Sequence, residues 1–187
     1  MVMVVRKMEI EIKAKLDNKE EILKKLKEVG WEAGEEIEEN DIYHVPESVI
    51  GRVRGPGDFI LRVRSSSKGN FLTFKAFTDT RGVWEEHETE ISDPEGINKI
   101  LLKAGFVEDM VISKKRIKGK INDMEVCVDD LNIIGPHIEC ELISDDKESA
   151  IERLSNFLKS FGITEDNFER RGYGEIFGEM KGIKFNQ

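Results

Sequence analysis

Charged side chains recur in this sequence as tight pairs two residues apart, and the pairs come in two chemical kinds. Acidic pairs are Glu9 and Glu11 in Glu9-Ile10-Glu11-Ile12-Lys13, Glu88 and Glu90 after Glu86, and Glu139 and Glu141. Basic pairs are Arg62 and Arg64, and Lys114 and Arg116, with Lys75 beside Thr73. On a β-strand residues i and i+2 lie on one face, so each pair projects its charges together. Carboxylate oxygens are the hard ligands that Mg²⁺ or Mn²⁺ prefers, commonly together with phosphate oxygens. Arginine presents a planar fork that matches phosphate. Any one such pair also suits the wet face of an ordinary amphipathic strand. The set is less ordinary, because every charged strand face is a tight pair and arginine is well represented. If these faces turn inward, the lining complements an anionic polymer with its metal ions.

The elements that must carry these pairs repeat a plan. Glu9 to Ile12 leads to Asp17-Asn18, a helical run Glu20 to Glu28 and Gly30-Trp31. Glu88 to Ile91 leads to Asp93-Pro94, a run Glu95 to Lys103 and Gly105-Phe106; Glu139 to Leu142 leads to Ser144-Asp145-Asp146, a run Glu148 to Ser160 and Gly162-Ile163. Asn18 caps the first run, with Glu21 placed to reach back in a capping box. Asp93 caps the second with proline at the first helical position, where no amide partner is lost. The glycines suit the left-handed residue that closes a helix. Apolar stripes such as Ile22, Leu23, Leu26 and Val29 give each helix one face to bury.

Period-two patterns predict further strands over Asp41 to Val45, Phe59 to Arg64, Phe71 to Phe77, Val111 to Ile117 and Met124 to Asp129. The polar turn Ser65 to Asn70 joins two of them as a hairpin. The expected fold is α+β: an antiparallel, closed or nearly closed β-barrel with helices packed outside, built from two related halves. No proline-rich or low-complexity linker divides the chain, so a single domain over 1–187 is expected.

Charged residues make up 36% and hydrophobic ones 39%, a globular balance, and the formal net charge is −9. That charge argues against nucleic acid or an anionic membrane surface as a partner. No stretch approaches the ~20 apolar residues of a membrane span, and Met1 to Val5 is too short for a signal-peptide core. Cys127 and Cys140 lie far from any CxxC spacing and read as small core residues in a reducing compartment. His44, His87 and His137 form no zinc spacing. The expectation is a soluble, cytoplasmic protein.

The ordered motifs resemble those of the CYTH superfamily, the triphosphate tunnel metalloenzymes. Glu9-Ile10-Glu11-Ile12-Lys13 is similar to its ExExK opening. Asp41-Ile42-Tyr43, Leu61-Arg62-Val63-Arg64, Leu72-Thr73-Phe74-Lys75, Glu86 to Glu90, Lys114-Lys115-Arg116, Asp129 and Gly135 to Glu141 follow in the family's order. The resemblance implies that Glu9, Glu11, Glu139 and Glu141 hold the metals, Mg²⁺ or Mn²⁺. It implies that Lys13, Arg62, Arg64, Lys75, Lys114 and Arg116 grip phosphates, that Lys13 and Asp129 serve catalysis, and that Glu88 and Glu90 complete an acidic lining. The long third helix looks most like the class IV adenylyl cyclase branch, which converts ATP to cyclic AMP and pyrophosphate. Tripolyphosphatases, thiamine triphosphatases and nucleoside triphosphatases share the lining, and a non-catalytic nucleotide or polyphosphate binder would use it too. The implied partner is a small triphosphate such as ATP or tripolyphosphate, and a homodimer is compatible with the reading. Three positions depart from the family pattern. Trp84 stands where many relatives carry arginine, so that phosphate contact is either absent or supplied by Arg81; His137 replaces an aromatic residue; Gly172 precedes Tyr173 where serine is common.

Overall fold

A computed structural model describes residues 8–186, so the apolar opening Met1 to Val5 lies outside the described residues. The order of elements is β1 (Met8–Lys15), α1 (Lys19–Glu28), β2 (Glu32–Pro46), β3 (Phe59–Ser66), β4 (Gly69–Phe77), β5 (Val83–Ile91), α2 (Pro94–Lys103), β6 (Phe106–Ile121), β7 (Met124–Leu131), β8 (Gly135–Ser144), α3 (Lys147–Ser160), β9 (Phe168–Glu169) and α4 (Tyr173–Met180). They group into two compact units, one of residues 8–36 with 116–170 and one of residues 37–115 with 171–186. Neither unit is a continuous stretch of chain. The chain passes between them inside β2 and inside β6, and again after Arg170, which is why no linker could be read in the sequence.

In the first unit β8 pairs antiparallel with both β7 and β1, and β1 also pairs with β9. Alternation sends Ile10, Ile12 and Ala14 of β1, Val126 and Val128 of β7, and Ile138 and Cys140 of β8 to one buried apolar face. Helix α3 packs against β1 and β8. Leu154 and Leu158 on it are wholly buried, which is worth roughly 1.5–3 kcal/mol each. The Trp31 indole N–H donates to the Val126 carbonyl at 3.2 Å. In the second unit β2, β3, β4 and β5 form an antiparallel meander, and α2 packs on β3 and β4. Both units therefore show the expected α+β, antiparallel plan: one strand face under a helix, the other charged.

The three strand–helix repeats are present with their caps. Asn18, Asp93 and Asp146 each accept from a first-turn amide, at 3.1, 2.8 and 3.0 Å. Gly30, Gly105 and Gly162 follow the helices with φ of +84°, +89° and +85°, a region side chains resist. One detail of the first cap differs. The Glu21 carboxylate pairs with Lys25 one turn on, at 2.7 Å, so that charge attraction along the helix surface prevails over the reach back to the cap.

Several strands run longer than the alternation alone marked. β2 starts at Glu32 and passes through the run Glu35-Glu36-Ile37-Glu38-Glu39, where crowded carboxylates hide the pattern. The hairpin turn is shorter than expected, since Ser66 already pairs with Gly69. Helix α4 is an element the strand-centred reading did not include. Its apolar spacing is visible in Tyr173, Ile176, Phe177 and Met180, but Gly174 and Gly178 weaken it.

Candidate active site

The register of the first unit stacks charges in rows across one face. Glu11 lies opposite Glu141, which lies opposite Glu125. The next row reads Glu169, Lys13, Glu139 and Cys127, and the one after it Lys15, His137 and Asp129. Glu9 extends the β1 set, opposite Ile143. Residues directly opposite on adjacent strands stand about 5 Å apart, so like charges here repel.

Two buried cations bind this acidic face, and the more exposed Lys118 pairs with Glu125 at 2.6 Å. Lys13, only 1% exposed, forms ion pairs with Glu11 and, at 3.3 Å, with Glu139. Arg116 on β6 grips Asp129 through two parallel hydrogen bonds of 2.6 Å and donates to Glu139 at 2.9 Å. Burial alone would lower the Arg116 pKa, but the Asp129 and Glu139 carboxylates beside it hold the guanidinium well above its usual range. Lys13 and Arg116, expected to grip phosphate, thus lie among the carboxylates, and both Asp129 oxygens accept from Arg116. Cys127 and Cys140 are both buried, as expected, but on opposite faces: Cys140 in the apolar layer and Cys127 in the charged row. Burial, augmented by Glu139, Asp129 and Glu125, pushes the Cys127 thiol well up, which keeps it protonated and inert. His137 replaces an aromatic within this set; its ring Nδ1 lies 3.0 Å from the Gly135 carbonyl, and burial lowers its pKa and favours the neutral ring.

The donor set fits a hard divalent cation. Glu11, Glu125 and Glu141 put three carboxylates in a row on adjacent strands, with Glu9 and Glu139 on the same face. Among the described residues no group of three or more acidic, histidine or cysteine side chains already converges in coordinating geometry. The carboxylates are partnered by protein cations instead.

The second unit builds a different face. Across β2, β3, β4 and β5 one row runs Asp41, Arg64, Phe71 and Glu90, and the next runs Tyr43, Arg62, Thr73 and Glu88. Lys75 is opposite Glu86, and Phe77 opposite Trp84. Arg64 forks onto Asp41 at 2.7 and 2.8 Å. Lys114 completes the knot, 2.9 Å from Glu39 and 3.0 Å from Asp41. Asp41 is fully buried; burial would raise its pKa, but Lys114, Arg64 and Arg62 hold it well below the usual carboxylate range.

Arg62 and Lys75 are half-buried. Arg62 contacts Thr73 at 3.1 Å, Glu88 at 3.3 Å and Glu86 at 3.6 Å, while its buried Nε–H has no acceptor among the described residues. Lys75 pairs with Glu86 at 3.0 Å. Glu88 accepts from Thr73 at 2.8 Å, but Glu90 lies exposed at the hairpin end and makes no ion pair among the described residues. Arg81, the expected substitute cation, points to Glu175 and Glu179 of α4, 3.6 Å from each. Glu39, Glu86, Trp84 and Tyr173 belong to this cluster although the sequence reading gave them no site role. The i, i+2 spacing of Glu39, Asp41 and Tyr43 was the available signal for the first.

The CYTH domain family model matches residues 7–173, almost every strand and helix that builds these two faces. The chain belongs to the CYTH family. A protein of Methanocaldococcus jannaschii named "Putative adenylate cyclase" is 34% identical over 178 residues, covering 91% of this chain and 98% of that one. A solved structure of a conserved hypothetical protein from Pyrococcus furiosus is 30% identical, covers 89% of this chain and 98% of its own, and superimposes with a TM-score of 0.78. A Hippeastrum protein described as a "Putative adenylyl cyclase" with a dominant triphosphatase activity shares the fold at a TM-score of 0.66. It is 18% identical, over 95% of this chain and 96% of its own. CYTH proteins include adenylyl cyclase-like and triphosphatase enzymes, and this chain has the family's ordered charged strands. Among its described residues no helix is long and apolar enough to cross a membrane.

Proposed function

We propose that this CYTH protein is a divalent-metal-dependent enzyme acting on a triphosphate, most like the class IV adenylyl cyclases. The observation that carries the reading is Arg62. A half-buried guanidinium whose buried Nε–H has no acceptor among the described residues, on the same sheet face as Arg64 and Lys75, is what a phosphate oxygen would satisfy. A buried donor left without an acceptor costs about 1–3 kcal/mol, so a ligand that supplies one gains that much.

In this reading Arg62 and Lys75 exchange Glu86 and Glu88 for phosphate oxygens, while Arg64 and Lys114 stay anchored on Asp41 and Glu39 and supply fixed positive charge. Glu9, Glu11, Glu139 and Glu141 would hold Mg²⁺ or Mn²⁺, which supplies charge neutralisation on the phosphates and orients them. Lys13, between Glu11 and Glu139, holds those carboxylates in place and offers an ammonium to phosphate once they turn to the metal. Arg116 fixes Asp129 and Glu139. In the cyclase reaction the ribose 3′-oxygen bonds to the α-phosphorus, the bond to the bridging oxygen breaks, pyrophosphate leaves and the hydroxyl proton passes to solvent or a carboxylate. In-line geometry and charge neutralisation dominate such transfers.

The second reading is hydrolysis, with water attacking a terminal phosphorus. The triphosphatase activity ascribed to the Hippeastrum protein gives it a concrete precedent on this fold. Incubation of the protein with ATP or tripolyphosphate and Mg²⁺ or Mn²⁺, with products resolved, separates the two. Cyclic AMP with pyrophosphate supports the cyclase, orthophosphate supports the hydrolase, and binding without turnover refutes both.

A further inference from the structure

Lys75 shares its face of the sheet with a tryptophan too buried to stack on a nucleobase. Trp84 precedes Glu86 by two residues on β5 and is 4% exposed. The Lys75 ammonium lies 4.8 Å from its ring centroid, and Phe77 packs edge-on against it at 5.2 Å. The outer edge of the indole faces Gly172, the residue that opens α4. A Cβ there would stand 3.5 Å from Cη2, an ordinary contact, and 3.2 Å from Cζ2, tight enough that the ring would have to give by a few tenths of an ångström. The next residue, Tyr173, is 6% exposed and turns its ring toward Lys114, 5.9 Å from that ammonium. The turn itself is pinned, because Glu175 accepts from the Gly172 amide at 2.9 Å and lies 3.6 Å from Arg81. Two consecutive residues of one turn thus bear on both lysines of the cluster, one directly and one through Trp84.

We propose that Trp84, seated by the Gly172–Tyr173 turn, is a positioning residue that presets Lys75 for phosphate. The inference rests on the phosphate reading of Lys75 above. A lysine side chain has four rotatable bonds and loses much of that freedom when its ammonium is fixed. A ring that fixes it beforehand removes that cost from the binding step. Glu86 also holds Lys75, but it neutralises the charge that phosphate needs. The indole attracts the ammonium through its π face and carries no net charge, so Lys75 can give up Glu86 for phosphate and stay on the ring. The packing of α4's first turn then governs phosphate affinity through residues that touch no phosphate.

Calorimetric titration with tripolyphosphate in metal-free buffer tests this through a double-mutant cycle. Lys75→Met should weaken binding. Trp84→Leu should weaken it about tenfold, Trp84→Phe by less, and Trp84→Leu should cost nothing further in the Lys75→Met background. If Lys75→Met weakens binding and Trp84→Leu does not, or if the two losses simply multiply, the positioning role is wrong while the phosphate site stands. Unchanged affinity in Lys75→Met removes the phosphate reading of Lys75 and this inference with it. If Trp84→Leu does not fold, Gly172→Ala serves instead. The Gly172 φ of −64° accepts alanine, so its extra methyl acts by displacing the ring. A loss of roughly twofold or more that vanishes in the Lys75→Met background is the expected result, and a loss that persists there overturns the proposal.

Discussion

The two units use one backbone plan and arrive at opposite electrostatics. Each presents an antiparallel sheet whose apolar face lies under a helix and whose other face is charged. In the second unit Arg62, Arg64, Lys75 and Lys114 are matched by Glu39, Asp41, Glu86 and Glu88, so charge is balanced residue for residue. In the first, the seven carboxylates of Glu9, Glu11, Glu125, Asp129, Glu139, Glu141 and Glu169 share a face with two buried cations, Lys13 and Arg116, and with Lys118 at its edge, 2.6 Å from Glu125. A balanced face can trade one anion for another at little net cost. An over-acidic face keeps a standing demand for positive charge. On the proposed reading the difference suits the first unit to a metal ion and the second to a phosphate chain, and each prediction breaks one side of that contrast.

The largest effect should come from the knot of the second unit. Asp41→Asn keeps the shape of the side chain but leaves Arg64 and Lys114 with Glu39 as their partner. Removing one member of a buried charge network typically costs about 3–5 kcal/mol, and urea unfolding at neutral pH should show a loss of that order. The pH dependence has a definite sign. Asp41 titrates lower in the folded protein than in the unfolded chain, where carboxyls titrate near ~4, so its contribution is complete above that pH. It is lost as the pH falls through the lower, folded value. Wild type should therefore lose its advantage over Asp41→Asn on acidification below about pH 4. A constant gap between the two proteins would show that Asp41 is not held by its cations.

Next comes the metal side. Glu141→Gln preserves volume and removes the central carboxylate of the Glu11, Glu141 and Glu125 row. A metal's neutralisation of phosphate charge is worth several kcal/mol, and 1.4 kcal/mol is a factor of ten, so turnover should fall roughly a hundredfold or more. Circular dichroism should remain that of the wild type. Unchanged turnover across an Mg²⁺ and Mn²⁺ titration would move the metal away from this face.

Local rules explain what could be read in the sequence before these faces were seen. Caps at Asn18 and Asp93 and glycines at 30, 105 and 162 act within a few residues, so three helices were placed to within one residue at their ends. Alternation likewise gave the face on which each charged pair sits. Which charges meet depends on register between strands distant in sequence, and no local pattern encodes that. Arg116 reads equally well as a phosphate ligand or as the anchor of Asp129 and Glu139 until β6 is set beside β7. Trp84 reads as a lost cation until Lys75 is seen above its ring. Glu90 shows the opposite limit: it has the right spacing but lies exposed beyond the cluster.

A smaller effect should follow at the phosphate side. Arg62→Ala removes a charge-assisted contact worth roughly 1.5–3 kcal/mol, or about a tenfold to hundredfold loss of affinity. ATP and bare tripolyphosphate should weaken by similar factors in calorimetry, since both present the same phosphates. Loss confined to ATP would mean that Arg62 reads the nucleoside, and the contrast between the units would lose its phosphate half.

The smallest effect is also the most direct test of the acidic imbalance. In metal-free buffer Glu141 faces Glu11 on one side and Glu125 on the other; Lys13 pairs with Glu11 and Lys118 with Glu125, and what repulsion they leave costs up to about 1 kcal/mol per opposed pair. Glu141→Gln removes the central charge of both pairs, so the metal-free variant should melt slightly above metal-free wild type. With excess Mg²⁺ the order should invert, because a metal that binds only the folded wild type adds stability in proportion to the logarithm of its concentration over Kd. The crossing of the two Tm curves along a Mg²⁺ titration is the quantity to measure. A variant less stable than wild type without metal would mean that Glu141 is held by favourable contacts that outweigh the repulsion. The first unit would then be a salt-bridged face like the second, and the contrast would fail at its foundation.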